Sequence, residues 1–310
     1  MAAAEAKEAG RGELEAARPE ASEARRVSKT LRPEEQHWVG DGFFVSTLFS
    51  PFQIDPQTIS PFILLDHAAP KYFSPSLSRR GVGEHPHRGF ETVTFAYSGE
   101  VSHRDSGGGG GTIGSGDVQW MTAGAGVVHE ELHSQAFSER GGTFEMVQLW
   151  VNLPARLKLT QPRYQGLVGK TFPELKLGAA TARLVAGSLG SLRGPAQTHT
   201  PITVFNLRFD ADGESRFELP RDHTLLILGR SGSLSAGDAT AGPSNLLVFE
   251  RGGDGSGDVV LRGKAATEAL VLSGEPLNEP VVAHGPFVMN TRTEIMTAIH
   301  DYQSGRMGRL

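Results

Sequence analysis

Residues 85–99 read His-Pro-His-Arg-Gly-Phe-Glu-Thr-Val-Thr-Phe-Ala-Tyr-Ser-Gly, and this stretch decides the fold of the chain. It holds two histidines separated by one residue, followed by β-branched and aromatic residues from Thr92 to Tyr97. Such a run is typical of a β-strand, and the Ser98-Gly99 pair after it is a turn signal. The stretch therefore predicts a histidine pair beside a strand that ends in a tight turn.

Short apolar runs of the same kind recur along the rest of the chain. They are separated by turn residues and lie at 118–121, 144–151, 204–209, 225–228, 246–249, 259–261 and 270–272. Regularly spaced short strands are typical of all-β sandwiches and barrels. Because the two halves are similar in length and texture, we predict a duplicated β-barrel with its join near residues 153–165.

One helix is predicted close to the C-terminus. Thr291 and Glu294 have the spacing of a capping box, which marks a helix start. The residues after them place an apolar face at helical spacing before a glycine stop: Ile295, Ile299, Tyr302 and Gly305.

The composition excludes several classes of protein. The chain has 310 residues and no cysteine, so disulfide scaffolds, iron–sulfur clusters and thiol nucleophiles are ruled out. The formal net charge of −5, without any Lys/Arg run, argues against direct binding of nucleic acid. No apolar stretch is long enough to cross a membrane. We expect a cytoplasmic protein, or a nuclear one if the source is eukaryotic.

Two segments of low complexity are predicted to lack regular structure. Residues 1–31 are rich in Ala, Glu and Arg, and they cannot bury enough apolar surface to offset the entropy of ordering. The glycine run at 107–111 is predicted to be a loop. Gly109–Gly114 formally matches a dinucleotide-binding fingerprint, but a strand-like run follows it where a helix should begin.

The histidines carry the strongest chemical signal. His85 and His87 are two residues apart, so on a strand their side chains point to the same side. His129 and Glu131 repeat this spacing, whereas Glu130 points the other way. If the two strands are neighbours, three imidazoles and one carboxylate converge.

Three histidines and one carboxylate suit a divalent metal of the first transition row. Fe²⁺ is the preferred ion, with Mn²⁺, Ni²⁺, Cu²⁺ and Zn²⁺ as alternatives, because the ligand types alone do not select among them. Glu91 is the main rival of Glu131, since it would share the face of His87 on a straight strand. The other candidate histidines are predicted to lie in turns or at the surface: His67, His103 and His133.

Several longer strings resemble the pirin family of bicupins. They are EHPHRGFETV at 84–93, GDVQWMTAG at 116–124, LWVNL at 149–153 and HGPFVMNT at 284–291. The resemblance extends from about residue 35 to the C-terminus. It implies two stacked cupin barrels (double-stranded β-helices), with residues 32–154 forming a metal-binding barrel and residues 155–310 forming the second barrel and the terminal helix. The second half has no paired histidines, so its barrel is predicted to be metal-free.

The resemblance also implies the ligand set, which is His85, His87, His129 and Glu131. It favours Glu131 over Glu91 as the carboxylate. Pirins commonly carry an arginine in the turn before the third histidine, and this chain has Ala125 there. Any role of that arginine is therefore in doubt for this chain.

Two functions follow from this resemblance. The first is an oxidoreductase similar to the quercetin 2,3-dioxygenase of some pirins, in which Glu131 accepts the proton of a flavonol, or of a similar enol- or catechol-like substrate, and O₂ opens the ring. The alternative is a non-enzymatic, iron-binding and redox-sensing regulator that acts through a protein partner. The enzyme is preferred, because Ala125 weakens the basic contact surface that a regulator would present.

Overall fold

The computed structural model describes residues 24–33 and 35–310, and hydrogen-bonded antiparallel strands dominate it. The strands of the first half are β1 (Val27–Leu31), β2 (His37–Val39), β3 (Phe43–Phe49), β4 (Phe62–Phe73), β5 (Gly81–His87), β6 (Phe90–Ser98), β7 (Val101–Asp105), β8 (Gly110–Ile113), β9 (Val118–Thr122), β10 (Val127–His133), β11 (Gly142–Asn152) and β12 (Arg163–Leu167). Those of the second half are β13 (Glu174–Leu177), β14 (Ala180–Ala186), β15 (Ser188–Leu189), β16 (Leu192–Arg193), β17 (Ile202–Phe209), β18 (Gly213–Pro220), β19 (Thr224–Ser231), β20 (Leu234–Ala236), β21 (Ala239–Ala241), β22 (Leu246–Phe249), β23 (Ser256–Gly263), β24 (Glu268–Gly274), β25 (Val282–His284) and β26 (Phe287–Met289). The helices are α1 (Pro56–Ile59), α2 (Gln135–Arg140) and α3 (Arg292–Gln303), with single 3₁₀ turns at Ala155–Leu157 and Gly169–Thr171.

These strands form two barrels, each made from a seven-stranded and a four-stranded sheet. The first barrel has the strand orders β12-β9-β6-β11-β4-β3-β2 and β5-β10-β7-β8. The second has the orders β1-β22-β19-β24-β17-β14-β13 and β18-β23-β20-β21. The predicted all-β fold of two stacked barrels is confirmed, and each run predicted as a strand lies within one.

The two seven-stranded sheets pack face to face and enclose a continuous apolar core. The first sheet contributes residues such as Val93 and Leu149, and the second contributes Val204, Leu226 and Leu270. All five side chains are fully buried. Burial of this apolar surface is the main force that holds one barrel against the other.

The barrel interiors differ in chemistry. Aromatic and aliphatic side chains fill the second barrel, among them Phe205, Phe217 and Ile227. That this barrel binds no metal stays a prediction. The first barrel has an apolar cluster around Phe43 and Phe144, and polar side chains occupy the rest of its interior.

Each end of the described chain packs against the barrel formed by the other half: β1 against the second barrel and α3 against the first. At the first of these ends the structure differs from the predicted boundaries. The tail was expected to reach residue 31, but Val27–Leu31 forms β1 and pairs with β22 of the second barrel. Residues 1–23 of that tail lie outside the described residues. A five-residue strand is stabilised by a partner more than two hundred positions away, so its own sequence carries little signal. The division between residues 154 and 155 remains a proposal, and β12, just after it, belongs to the first barrel's sheet.

The terminal helix α3 is confirmed with its capping box. The Thr291 hydroxyl accepts a hydrogen bond from the Glu294 backbone, and the Glu294 carboxylate accepts one from the Thr291 backbone. Ile295 and Ala298 pack against Val128 of the first barrel. Helix α3 has 12 residues, and none of the helices formed by residues 24–33 and 35–310 has the length and apolar character to cross a bilayer.

Candidate metal centre

The register of three neighbouring strands assembles the centre inside the first barrel. Strands β5 and β10 are antiparallel, and His85 lies opposite His129. On its other side β10 pairs with β7, where Glu131 lies opposite His103. Directly opposed residues have close side chains, so this register brings the predicted residues of β5 and β10 together.

His85, His87 and His129 form a compact cluster. The ring centroids are 4.8 Å apart for His85 and His87, 4.2 Å for His85 and His129, and 4.8 Å for His87 and His129. One ring nitrogen from each lies within 4.8 Å of the others. His87 and His129 are buried, and His85 is half-buried. The sequence prediction that these three imidazoles converge agrees with this geometry.

Hydrogen bonds turn the same ring nitrogen inward in all three histidines. Nδ1 of His85 donates to the Gly83 carbonyl oxygen at 2.8 Å, and Nδ1 of His87 donates to that of Pro286 at 3.4 Å. Nδ1 of His129 contacts His103 at 3.3 Å, which leaves Nε2 of His129 buried without a hydrogen-bond partner. A buried polar atom without a partner is costly, and a metal ion would satisfy it. The three residues therefore fit a divalent metal held through Nε2 atoms.

The surroundings keep the imidazoles of His87 and His129 neutral. Burial, reinforced by His85, lowers the pKa of His87 well below its ordinary value. Burial, reinforced by His87, does the same to the pKa of His129. Neutral imidazole is the form that binds metals, so these two side chains are in the required protonation state at neutral pH.

Glu131 lies beside this cluster, held by three donors. Its carboxylate accepts hydrogen bonds from Thr94 at 3.0 Å, Gln119 at 3.2 Å and Gln148 at 3.3 Å. Glu131, His103 and His129 form a second group of side chains close enough to hold one metal ion. This group shares His129 with the cluster of three histidines. The complete set of His85, His87, His129 and Glu131 as metal ligands stays a prediction.

Glu91 points away from the centre. The chain turns between β5 and β6, so the straight strand that would align Glu91 with His87 does not exist. Its carboxylate accepts a 2.6 Å hydrogen bond from Thr122 and lies 3.9 Å from Nε2 of His199. Burial raises the pKa of Glu91 to about 7. Glu91 therefore belongs to the contact between the barrels.

The prediction that three histidines lie in turns or at the surface is wrong. His67, His103 and His133 are all buried on strands. His133 packs among aromatic rings such as Phe144, and His67 contacts Ser244 of the second barrel. Long-range packing decides these positions, and local sequence does not reveal it.

His103 is the residue near the centre that the sequence reasoning missed. It contacts both His129 and Asp105. Although burial opposes ionisation of Asp105, hydrogen bonds from His103 and Gly109 hold the pKa of its carboxyl below the usual range. The signal was present in the sequence, since His103 and Asp105 repeat the i, i+2 spacing of the recognised pairs.

A cavity of about 240 Å³ opens beside the histidines. Its polar groups include those of His85, His87, Glu131 and Asp66, and burial raises the pKa of Asp66 to about 6. The remaining wall is mainly apolar: Val39, Phe43, Val45, Leu64, Val82, Met146 and Trp150. An apolar cavity with a few polar groups at one end is the usual form of a small-molecule site.

The segment that carries β25, β26 and α3 closes one side of the centre. Pro286 lines the cavity as well as accepting the hydrogen bond from His87. Gly89 approaches this segment so closely that a Cβ atom there would lie 2.0 Å from the Val288 carbonyl oxygen. The buried Lys158 ammonium donates to the carbonyl oxygens of both Gly89 and Val288 at 2.9 Å.

Comparison with known proteins agrees with this architecture. The Pirin family model matches residues 46–151, and the Pirin C-terminal cupin domain model matches residues 204–308. A Pseudomonas aeruginosa protein named "Putative quercetin 2,3-dioxygenase" is 48% identical over 276 residues, which cover 88% of this chain and 95% of that protein. A "Pirin-like protein" of Solanum lycopersicum is 35% identical over 271 residues, covering 87% and 88%.

A solved structure also has the same fold as this chain. The crystal structure of a quercetin 2,3-dioxygenase from Acinetobacter baumannii is similar with a TM-score of 0.87 and 46% sequence identity. That similarity covers 92% of this chain and 99% of the other. Both barrels are therefore matched by known proteins, and the chain belongs to the pirin family.

Proposed function

We propose that this protein is a metal-dependent dioxygenase of the quercetinase type, with Fe²⁺ as the preferred ion and a flavonol as the substrate class. The observation that carries the proposal is the inward-facing set of histidine nitrogens, including the partnerless Nε2 of His129, beside an apolar cavity. The names of the similar proteins from Pseudomonas aeruginosa and Acinetobacter baumannii support the reaction class.

His85, His87, His129 and Glu131 would hold the ion. When bound, a divalent metal supplies Lewis acidity, which lowers the pKa of a coordinated hydroxyl group. The neutral imidazoles leave most of the ion's charge available for an anionic substrate oxygen, and the Glu131 carboxylate offsets part of it. This donor set suits a substrate that binds as a phenolate or enolate.

Glu131 would accept the substrate's proton. Its Oε1 already accepts bonds from Thr94 and Gln119, whereas Oε2 accepts a 3.3 Å bond from Gln148. Oε2, which accepts the longest of these bonds, would either bind the ion or, in place of the ion, accept a proton from a hydroxyl group in the cavity. The amide and hydroxyl donors hold the carboxylate in place while it does so.

The cavity wall suits a flat aromatic molecule. Trp150 packs against Phe90 in a tilted arrangement with ring centroids 4.4 Å apart, and its ring centroid lies 5.2 Å from that of His87. These rings exclude water and orient an aromatic substrate next to the histidines. In the overall reaction both atoms of O₂ enter the ring-opened ester, and carbon 3 of the flavonol leaves with its oxygen as carbon monoxide.

The test is anaerobic reconstitution of the full chain with Fe²⁺, followed by addition of quercetin and O₂. We expect oxygen uptake with release of carbon monoxide, and loss of both in His87→Ala. His284→Ala is the matched control, because His284 is exposed on the closing segment. Parallel loading with Mn²⁺, Ni²⁺, Cu²⁺ and Zn²⁺ identifies the ion that supports turnover.

Iron-loaded protein that consumes no oxygen with any flavonol would contradict the enzymatic proposal. That result would favour the alternative, an iron-binding regulator acting through a protein partner. Absence of stoichiometric metal after reconstitution would contradict both functions.

A further inference from the structure

A hydrogen-bonded chain leads from the glycine-rich hairpin to the metal centre. It starts at Asp105, whose Oδ1 accepts bonds from the backbone N–H groups of Gly107 at 2.8 Å and Gly109 at 3.0 Å. The other oxygen, Oδ2, accepts from Nε2 of His103 at 3.0 Å. Because an ionised carboxylate can only accept, Nε2 of His103 carries a hydrogen.

The second link is Nδ1 of His103, which is an acceptor. The side-chain nitrogen of Gln119 donates to it at 3.1 Å and also donates to Oε1 of Glu131 at 3.2 Å. Glu131 fixes the orientation of that amide, since its carboxylate oxygen needs a donor. Nδ1 of His129 is the second neighbour of the same atom, at 3.3 Å.

The third link is His129 itself. Since Nδ1 of His103 accepts, Nδ1 of His129 must carry the hydrogen, and its Nε2 has a free lone pair. That Nε2 is the buried atom without a partner, directed toward the other two histidines. The direction of every hydrogen bond in the chain therefore follows from the carboxylate at its start.

We propose that Asp105 is a positioning residue of the metal centre, which acts through His103 to fix the tautomer and orientation of His129. The inference rests on the metal site of the proposed function and adds the residues that prepare one ligand for it. It also assigns His103 to support of a ligand, because both of its ring nitrogens already have partners.

The hairpin sequence is built around this carboxylate. A Cβ atom on Gly109 would lie 2.4 Å from Oδ2 of Asp105 and 2.6 Å from Cβ of Tyr164. Tyr164 in turn stacks on His103, with ring centroids 5.0 Å apart and an interplanar angle of 18°. The glycine run, predicted to be only a loop, thus wraps Asp105 and enters strand β8 at Gly110.

The sharpest test is Asp105→Asn in the full chain. The two backbone donors would keep the amide oxygen at the Oδ1 position, so the amide nitrogen would face Nε2 of His103 as a donor. His103 would then carry its hydrogen on Nδ1, and His129 would lose the acceptor that sets its tautomer. Asp117→Asn is the matched control, because Asp117 also accepts bonds from two backbone N–H groups, those of Gly114 and Gly169, but contacts none of these histidines.

Two measurements decide the proposal. Mn²⁺ titration, with the free ion counted by electron paramagnetic resonance, should show about 10- to 100-fold weaker binding for Asp105→Asn and no change for Asp117→Asn. Nitrogen-15 NMR of the metal-free protein should show His129 protonated on Nδ1 in the parent chain and shifted toward Nε2 in Asp105→Asn. Unchanged affinity together with an unchanged His129 tautomer would overturn the proposal.

The two proposals fail in distinguishable ways. If the parent chain binds no Mn²⁺ or Fe²⁺, the proposed function fails, while the NMR measurement still supports or overturns the hydrogen-bonded chain. If Asp105→Asn does not fold, His103→Phe removes the same link and retains a ring against Tyr164. Where both single variants fold, the double variant of Asp105→Asn and His103→Phe should bind Mn²⁺ no more weakly than the weaker-binding single variant, because both substitutions break one hydrogen-bonded chain. Additive losses of binding free energy would contradict the shared chain.

Discussion

The carbonyl oxygen of Pro286 lies 3.4 Å from Nδ1 of His87 and accepts the hydrogen bond that directs Nε2 of this histidine inward. The two residues are 199 positions apart in the sequence. The closing segment is therefore part of the candidate metal centre as well as a cover for the barrel. Its attachment to the barrel should influence how well the histidines are held.

Asp301→Asn should loosen that attachment. Asp301 on α3 forms a 2.9 Å ion pair with Arg88, the residue after His87 in the chain. Loss of a charged, largely buried hydrogen bond costs about 1–3 kcal/mol. Hydrogen exchange should become faster across α3, whereas Asp254→Asn, at an exposed position, should leave it unchanged. Equal exchange in both variants would show that the ion pair does not hold the helix.

Glutamine substitutions at Glu131 and Glu91 should show which of the two carboxylates binds the metal. Glu131→Gln removes a negative charge beside the histidines and should weaken metal binding at least tenfold. Glu91→Gln replaces a buried carboxyl group on the opposite side of the sheet, where Thr122 is the hydrogen-bond partner, and should keep full metal stoichiometry. Elemental analysis and metal titration measure both effects. Metal loss in Glu91→Gln alone would reverse the assignment.

Glu91 should also make stability depend on pH. Its pKa is raised from an ordinary value of 4.5 to about 7 in the fold, chiefly by burial. Between these values the folded state holds a proton that the unfolded state has released, so stability falls as pH rises through this range. The loss should be on the order of 1–3 kcal/mol. Urea unfolding at about pH 5 and about pH 8 should show a smaller difference for Glu91→Gln than for the parent chain. An identical pH response in both would contradict the assigned burial.

Lys158→Met should destabilise the first barrel. The Lys158 ammonium donates to the carbonyl oxygens of Gly89 and Val288 and to the side-chain oxygen of Asn152. Methionine has similar length but leaves these buried acceptors unpaired, which costs about 2 kcal/mol or more. Chemical unfolding should show a lower midpoint, while the exposed Lys170→Met should not. A stabilised Lys158→Met would mean that removal of the buried charge outweighs the lost bonds.

Much of this structure could be predicted from local sequence. Strand periodicity located the segments around Thr92 and Phe144, and the capping residues located α3. The i, i+2 spacing brought His85 and His87 to one face, and the same rule applied to His129. These features depend on residues within a few positions of one another, so a single sequence reports them.

The features that could not be predicted depend on distant partners. The strand Val27–Leu31 needs β22, and the burial of His67 needs Ser244 of the second barrel. The role proposed for His103 depends on Gln119 and His129 of two other strands as well as on its near neighbour Asp105. Local sequence suggested turns and surface for these histidines because it contains no information on which strands become neighbours.

The pairing of early segments with late ones has a consequence for folding during synthesis. β1 is synthesised before β22 and has no pairing partner until β22 follows, and His87 has no acceptor for its Nδ1 until Pro286 follows. A chain interrupted after the second barrel would possess every predicted ligand and still lack a wall of the centre. The environment of the candidate ligands is therefore completed only when residues about 200 positions further along the chain are in place.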